Sequence, residues 1–175
     1  TDQGSLFVGF DFPIGLPEEY GRATGFSDFR AALQGFGGEG WEDWFEVCDS
    51  ADEISIARPF YPMRPGGRKK DHLLQGLGFT LGDQLLRRCE KKTAERQAAC
   101  SLFWTLGGNQ VGKGAIAGWQ EVLRPHMDQI GLWPFDGTLD QLLPSCPVVV
   151  AETYPGDVYG QIGIPRYPAW SKRKQ

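Results

Sequence analysis

The hydrophobic pattern of the chain predicts two strands, one near each end of the sequence. Residues 6–11 form a short apolar run that closes on Asp11, and the prolines that follow exclude both a helix interior and a central strand. Residues 147–152 form the second run, which is apolar and rich in valine up to Glu152. Such a run is typical of a strand covered on both faces, as in a parallel sheet flanked by helices.

Between these two strands the apolar residues recur with a helical period. The spacing, the caps and the glycine stops predict helical segments over residues 27–36, 71–77, 83–89, 93–100, 111–127 and 138–143, with Ser27 as the first cap. A strand, helices and a second strand form the order of an α/β sheet. We therefore expect one α/β domain over residues 1–175, with a helical insertion at about 27–146.

Two strands alone do not make a stable sheet. Either further strands lie in the weakly patterned regions, or the chain is part of a longer protein. The start without methionine and the basic end at residues 172–175, which is typical of a helix about to begin, favour the second interpretation.

Composition limits the classes of protein further. The 175 residues include 24 glycines and 12 prolines, which predicts a loop-rich domain, and the 13% of aromatic residues argue against disorder. The formal net charge of −4 means that a polyanion ligand requires a local basic patch or a bridging cation. No apolar run approaches a membrane span and no signal peptide opens the chain, which predicts a cytoplasmic protein without a membrane partner. The four scattered cysteines predict free thiols rather than a zinc site.

Each predicted strand ends in a carboxylate, Asp11 or Glu152. Ligands bind outside the carboxyl ends of parallel strands, so neighbouring strands would present both acids on the same rim. Two carboxylates held close together repel unless a cation neutralises them, and Mg²⁺ or Mn²⁺ suits oxygen ligands. Such an ion can activate water and stabilise a phosphoryl transition state. The alternative, that each acid only caps the turn after its strand, stays open.

A glycine-rich segment at residues 107–114 suggests a phosphate contact. It fits the pattern G-x-x-x-x-G-K of nucleotide hydrolases, but Gly114 stands where serine or threonine would hold Mg²⁺. In a looser version, Lys113 with Asn109, Gln110 and the backbone N–H groups holds a phosphate of the substrate. A glycine-rich turn that packs a helix closely on the sheet explains the same residues equally well.

Basic residues elsewhere supply further candidates. Arg22 and Arg30 follow the first acidic strand, and a guanidinium group can bind phosphate in a bidentate manner. The densest basic run, at residues 64–70, can steer a nucleic-acid strand and stack a base on the neighbouring Phe60 or Tyr61. The alternative for both sets is a solvated surface.

Three segments together resemble a known family: FDFPIGLP at residues 10–17, FWTLGGNQVGK at 103–113 and AETYP at 151–155. The family is a domain-of-unknown-function family whose members are uncharacterised and have been predicted to be RNase H-like nucleases. The resemblance runs from Leu6 to Lys174. It implies an α/β fold with a mixed sheet, in which three antiparallel strands lead into parallel ones and helices lie on both sides.

The resemblance also implies a site in which acids from strand ends and from a late helix surround a divalent metal. Asp11 matches the acid of the first element and Glu152 matches that of the second. Members usually begin with an earlier strand that bears Gly-x-Asp and finish with a helix that carries another Asp. Neither end is present here, which implies a domain that is incomplete at both termini and lacks one or two metal ligands.

These observations lead to two main functional expectations. The first is a phosphodiesterase, nucleolytic in type, that depends on Mg²⁺ or Mn²⁺ held by Asp11 and Glu152 and acts on nucleic acid or nucleotide. The second is a non-catalytic module on the same fold that binds nucleotide or nucleic acid. A nucleotide triphosphatase built on the glycine-rich segment is a third, weaker interpretation. Assembly into a homo-oligomer stays open.

Overall fold

A small sheet of three parallel strands organises the protein. The computed structural model describes residues 4–94, 97–107 and 110–154. Within these residues the strands are β1 (Leu6–Phe10), β2 (Ile130–Trp133) and β3 (Val148–Glu152). They lie in the order β1-β3-β2, and β3 pairs in parallel with both neighbours. Both predicted strands are confirmed, and they are direct neighbours.

β2 is a strand that the sequence did not predict, and together with the two predicted strands it completes a sheet. β2 has only four residues and pairs Ile130 with Val148 of β3. All pairings among the three described strands are parallel. The α/β class is therefore confirmed, and the mixed RNase H-like sheet implied by the resemblance stays a prediction.

The described residues form five short α-helices besides the sheet. They are α1 (Glu18–Thr24), α2 (Phe29–Gly35), α3 (Asp71–Leu77), α4 (Val111–Ala117) and α5 (Leu139–Leu142). α4 continues directly into a π-helical segment, Gly118–Leu123, and a 3₁₀ turn, Arg124–His126. Further 3₁₀ turns lie at Ala51–Glu53, Gly82–Leu85 and Arg88–Glu90. The helical predictions for residues 27–36, 71–77, 111–127 and 138–143 are confirmed apart from their exact ends.

Local chemistry corrects several details of the predicted helices. Asp28 rather than Ser27 caps α2, because its Oδ1 accepts a hydrogen bond from the Ala31 N–H at 2.8 Å. The predicted helix over 83–89 consists of two 3₁₀ turns, and residues 93–94 and 97–100 form no helix. α1 follows directly on Pro17 and had no helical period strong enough to predict it.

The main core lies in the helical layer rather than on the sheet. Among the described residues, the largest fully buried side chains fall between Tyr20 and Leu123, apart from Leu132 of β2. At its centre, the Trp44 ring stacks on Phe36 at 3.7 Å and on Trp119 at 5.3 Å between centroids. The Trp119 Nε1–H donates to the Pro13 carbonyl at 2.6 Å, which fixes the loop after β1 against this core.

Within the described part of the chain, no helix has the length and apolar character needed to cross a membrane.

Candidate functional site

The carboxyl edge of the sheet brings the two predicted acids onto adjacent strands. β1 and β3 are parallel neighbours in a register that places Phe10 opposite Glu152, and Asp11 follows Phe10. The Thr153 N–H donates to the Phe10 carbonyl at 2.8 Å, so the pairing extends to the end of both strands. Adjacent strands lie roughly 4.8 Å apart. The sequence predicts that the two carboxylates follow strands that end at the same edge of the sheet, and β1 and β3 do end at the same edge.

The two acids differ in register and in surroundings. Glu152 is paired with Phe10, so Asp11 lies one residue further along, where the strand has ended and the chain bends. Side chains of successive strand residues alternate between the two faces, so this offset does not by itself point the two carboxylates at a common atom. Asp11 is exposed and has no hydrogen bond or ion pair within the described residues. Its carboxylate therefore faces solvent rather than a partner among the described residues.

Glu152 is bound by an arginine. Its Oε1 accepts from Arg87 Nη2 at 2.8 Å, and its Oε2 accepts from Arg87 Nη1 and from the Ile14 N–H, the latter at 2.8 Å. The Arg87 side chain is 6% exposed and that of Glu152 is 21% exposed. Both oxygens of the carboxylate are therefore engaged by donors from the protein itself.

Arg87 belongs to a wider buried network. Its Nε donates to Glu90 Oε1 at 2.9 Å, and its backbone N–H donates to Glu90 Oε2 at 2.8 Å. Its Nη1 also donates to the Ile14 carbonyl at 3.0 Å. Arg87 thus joins the 3₁₀ turn Arg88–Glu90, the loop after β1 and the end of β3 through one guanidinium group.

The pKa values in this network follow from burial and charge. Burial alone would lower the pKa of Arg87, but hydrogen bonding to Glu152 and the charges of Glu90 and Glu152 more than offset it, so the pKa of Arg87 is raised. Burial raises the pKa of Glu90, against the opposing effect of Arg87. Arg87 therefore stays charged and neutralises part of the negative charge at this edge of the sheet.

In this arrangement an arginine, rather than a second carboxylate across an ion, is the partner of Glu152. Each oxygen of Glu152 already accepts at least one hydrogen bond from Arg87, so an ion between Asp11 and Glu152 would have to compete with that arginine. In the described ranges, moreover, no three His, Cys, Asp or Glu side chains form a group suited to metal binding. The sequence indicated that a cation would neutralise the carboxylates at this rim, and the cation that binds Glu152 is the guanidinium group of Arg87.

The two arginines predicted to contact phosphate are engaged within the chain. Arg22 pairs with Glu18 and Glu19 on the exposed face of α1. Arg30 binds Asp136 through both Nε and Nη2, and it also donates to the Ile130 carbonyl at 2.9 Å. Arg30 therefore ties α2 to the start of β2 and to the turn after it.

The glycine-rich segment has a clear packing role. A Cβ added to Gly112 would lie 2.9 Å from the Leu102 carbonyl, and one added to Gly118 would lie 2.6 Å from the Phe12 ring. Glycine at these positions lets the helical segment approach both neighbours closely. Gly112 therefore allows close packing of α4, but against Leu102 and its neighbours rather than on the sheet, and the phosphate contact of residues 107–114 stays a prediction.

The predicted phosphate ligands of this segment occupy different places. Asn109 lies outside the described residues. Gln110 is exposed just before α4, and its side chain does not cap the helix. Lys113 is exposed and lines a groove of about 370 Å³ together with Met63, Glu46 and apolar side chains of α4.

In the basic run at residues 64–70 the two arginines pair with a carboxylate, and the two lysines have no carboxylate within 4.0 Å among the described residues. Arg64 and Arg68 both lie within 4.0 Å of the Asp49 carboxylate. Lys70 Nζ lies 6.0 Å from the centroid of the Trp104 ring. The Trp104 carbonyl accepts a hydrogen bond from the Gly112 N–H at 3.1 Å, so Trp104 lies between the basic run and the start of α4.

Comparison of the chain with protein-family models, with curated proteins and with solved structures finds no match. The functional argument therefore depends on the geometry described above.

Proposed function

We propose that this chain is a non-catalytic module that binds a nucleotide or a nucleic acid through lysines around Trp104. We call Lys69, Lys70 and Lys113 the lysine surface. Lys70 lies over the Trp104 ring, Lys69 is its neighbour in sequence, and Lys113 follows the residue that bonds the Trp104 carbonyl. A phosphate-bearing ligand would place its charge on these lysines and a base beside the indole.

A contrast between the two kinds of cation carries this proposal. Among the described residues, every arginine except Arg124 has a carboxylate within 4.0 Å, and no lysine does. Cations already paired within the chain are poorly available to a ligand, whereas the lysine surface keeps its charge for solvent or for an anion. A protein with a net charge of −4 needs such a local patch to hold a polyanion.

A metal-dependent phosphodiesterase on an RNase H-like fold is the second candidate. The observation that favours it is the shared rim, where parallel pairing of β1 and β3 brings Asp11 and Glu152 to adjacent strand ends. This function requires Glu152 to leave Arg87. The binding module makes no such demand, because its proposed ligand lies at the lysine surface rather than at this ion pair.

Binding measurements test the first candidate. Fluorescence anisotropy with labelled single-stranded RNA, single-stranded DNA, duplexes and nucleotides would show saturable binding that weakens as salt increases. Lys70→Ala and Lys113→Ala should each weaken binding by about tenfold and reduce the salt slope by about 1. Arg22→Ala is the matched control, because it removes an equal charge that is already paired. Equal losses in all three variants would refute a specific lysine surface.

A hydrolysis assay on the same substrates with Mn²⁺ distinguishes the second candidate. Turnover that Asp11→Asn abolishes would support the phosphodiesterase. Binding without turnover supports the module, and the absence of both binding and turnover would refute both functions.

A further inference from the structure

The groove beside Lys113 is a cavity to which the proposed function assigns no ligand. Its volume of about 370 Å³ lies within the range of roughly 300–1,000 Å³ that is usual for small-molecule sites. Side chains from residues 113–121, in α4 and the π-helical segment that continues it, form one wall. Residues 45–47 and Met63 form the other. Short π-helical segments occur frequently at functional sites, so the position of this segment in the wall supports a binding role.

The groove has apolar side chains on both walls. Ile116 and Ala117 line it from the helical wall, and Phe45, Val47 and Met63 line it from the other wall. Met63 is 47% exposed, and a methionine side chain adapts to the shape of an apolar ligand. A flat apolar group that enters the groove therefore gains contacts on both sides.

The two ends of the helical wall carry opposite charges. Lys113 lies in the first turn of α4, and Glu121 lies in the π-helical segment. At about 1.5 Å of rise per residue, the two positions are separated by roughly 12 Å along the helix. Among the described residues, neither side chain has a hydrogen bond or an ion pair, so a ligand has no internal partner to displace. The separation is comparable to the distance between the phosphate and the far edge of the base in a mononucleotide.

Charge decides which part of a nucleotide can occupy the groove. Glu46 adds a second carboxylate from the other wall, so the groove carries two negative charges against the single positive charge of Lys113. Two carboxylates would repel a run of phosphates, whereas Lys113 would attract one phosphate. An ionised carboxylate only accepts hydrogen bonds, so the part of the ligand beside Glu121 has to donate them.

Guanine is the base whose donors match a carboxylate. Its N1–H and N2–H groups are adjacent and point in the same direction, so they can donate to the two oxygens of one carboxylate. Adenine and cytosine place their amino group beside an acceptor nitrogen, and uracil places its single N–H between two carbonyl oxygens. A carboxylate would therefore meet an acceptor in each of these three bases.

We propose that the groove binds the base of guanosine monophosphate, with Glu121 accepting from N1–H and N2–H and Lys113 holding the phosphate. The phosphate contact rests on the proposed function, and the assignment of a guanine base to the groove goes beyond it. The base beside Trp104 in the proposed function then belongs to a longer ligand.

Calorimetric titration with the 5′-monophosphates of guanosine, adenosine, cytidine and uridine tests the base preference. Guanosine monophosphate should bind about tenfold more tightly than the other three, and Glu121→Gln should remove this preference. Glu39→Gln is the matched control, because it removes an equal charge from an exposed residue that does not line the groove. Equal affinity for all four nucleotides, or a guanine preference that persists in Glu121→Gln, would overturn the proposal.

A second pair of variants tests the location of the base. Ala117→Trp fills the groove from an exposed helical position and should weaken guanosine monophosphate binding about tenfold or more, with the circular dichroism of the wild type. Gln34→Trp places the same ring at an exposed position of α2 outside the groove and should leave binding unchanged. Equal effects of the two variants would overturn the assignment to the groove.

Failure of this proposal can be distinguished from failure of the lysine surface. Binding that depends on Lys70 and Lys113 but is equal for the four bases would overturn the groove assignment and leave the proposed function standing. The absence of binding for every nucleotide and nucleic acid would overturn both. Guanosine, which lacks the phosphate, should bind more weakly than its monophosphate and should be insensitive to Lys113→Ala; a guanosine affinity that falls in Lys113→Ala would overturn the phosphate contact.

Discussion

Removal of the Arg87 side chain is the most informative perturbation of this fold. Arg87 connects three segments that are far apart in sequence: the loop at Ile14, the 3₁₀ turn at Glu90 and the end of β3 at Glu152. Arg87→Ala would leave two carboxylates without their cation and the Ile14 carbonyl without this donor. We expect the variant to fold with much reduced stability.

The magnitude follows from burial. The side chains of Arg87 and Glu90 are 6% and 5% exposed, so neither site is screened well by water. Breaking a buried ion pair by removal of one partner costs about 3–5 kcal/mol, because an uncompensated charge remains inside the protein. Native domains are stable by only about 5–15 kcal/mol, so this loss is a large fraction of the total. Arg87→Lys keeps the charge but not the bidentate geometry, and we expect an intermediate loss.

Urea unfolding followed by tryptophan fluorescence measures this effect, with the slope of the transition checked for constancy. Arg88→Ala is the matched control, because the Arg88 side chain is 86% exposed and its one ion pair within the described residues is with Glu18 at 3.5 Å. An exposed pair of this kind contributes about 0–1 kcal/mol. A loss below about 1 kcal/mol for Arg87→Ala, equal to that of the control, would refute the view that the network holds this edge together.

Three further predictions concern other buried or paired groups. Burial opposes ionisation of Asp136, but hydrogen bonding to Arg30 prevails and holds its pKa below the ordinary 3.8. The stability that the Arg30–Asp136 pair supplies is present above the pKa of Asp136 in the unfolded chain. It is lost as the pH falls through the lower pKa of Asp136 in the native protein. Asp136→Asn should therefore remove this acid dependence when unfolding in urea is measured from about pH 5 to 2. Burial raises the pKa of Cys48 to about 11, so at pH 8 its labelling by iodoacetamide, followed by mass spectrometry, should require unfolding. Tyr20→Phe removes the acceptor of the Trp44 Nε1–H, a bond of 2.6 Å, and should cost about 1–3 kcal/mol in urea unfolding. An acid dependence that persists in Asp136→Asn, a stability unchanged by Tyr20→Phe, or rapid labelling of the native thiol would contradict the corresponding argument.

The sheet could be predicted from sequence where its strands are long and continuously apolar. β1 and β3 have such runs, and the rule for parallel strands correctly predicted that their carboxyl ends share an edge. β2 was not predicted, because four residues, one of them glycine, have too little hydrophobic periodicity to be distinguished from a loop. These four residues form a strand because they pair with β3, and the local sequence does not encode that pairing.

The partners of the candidate site residues could not be predicted in the same way. Glu152 meets Arg87 across 65 positions of sequence, and Arg30 meets Asp136 across 106. Nothing in the local spacing distinguishes an arginine that will be buried in an ion pair from one that stays in solvent. The sequence indicated that a cation would neutralise the carboxylates at this edge, but the folded structure is needed to see that the cation bound by Glu152 is Arg87.

The described arginines, apart from Arg124, form ion pairs within the chain and the described lysines do not, and this difference connects the fold with the proposed function. A guanidinium group presents several donors in one plane, so Arg87 can satisfy two carboxylates and a carbonyl at once where the chain must be closed. A lysine has a compact, strongly hydrated charge on a flexible stem, and within the described ranges neither Lys70 nor Lys113 has a carboxylate within 4.0 Å. At the carboxyl edge of the sheet Arg87 binds Glu152, whereas among the described residues no carboxylate lies within 4.0 Å of Lys70 or Lys113. For this reason the proposed function places its phosphate ligand at the lysine surface rather than at the acidic rim.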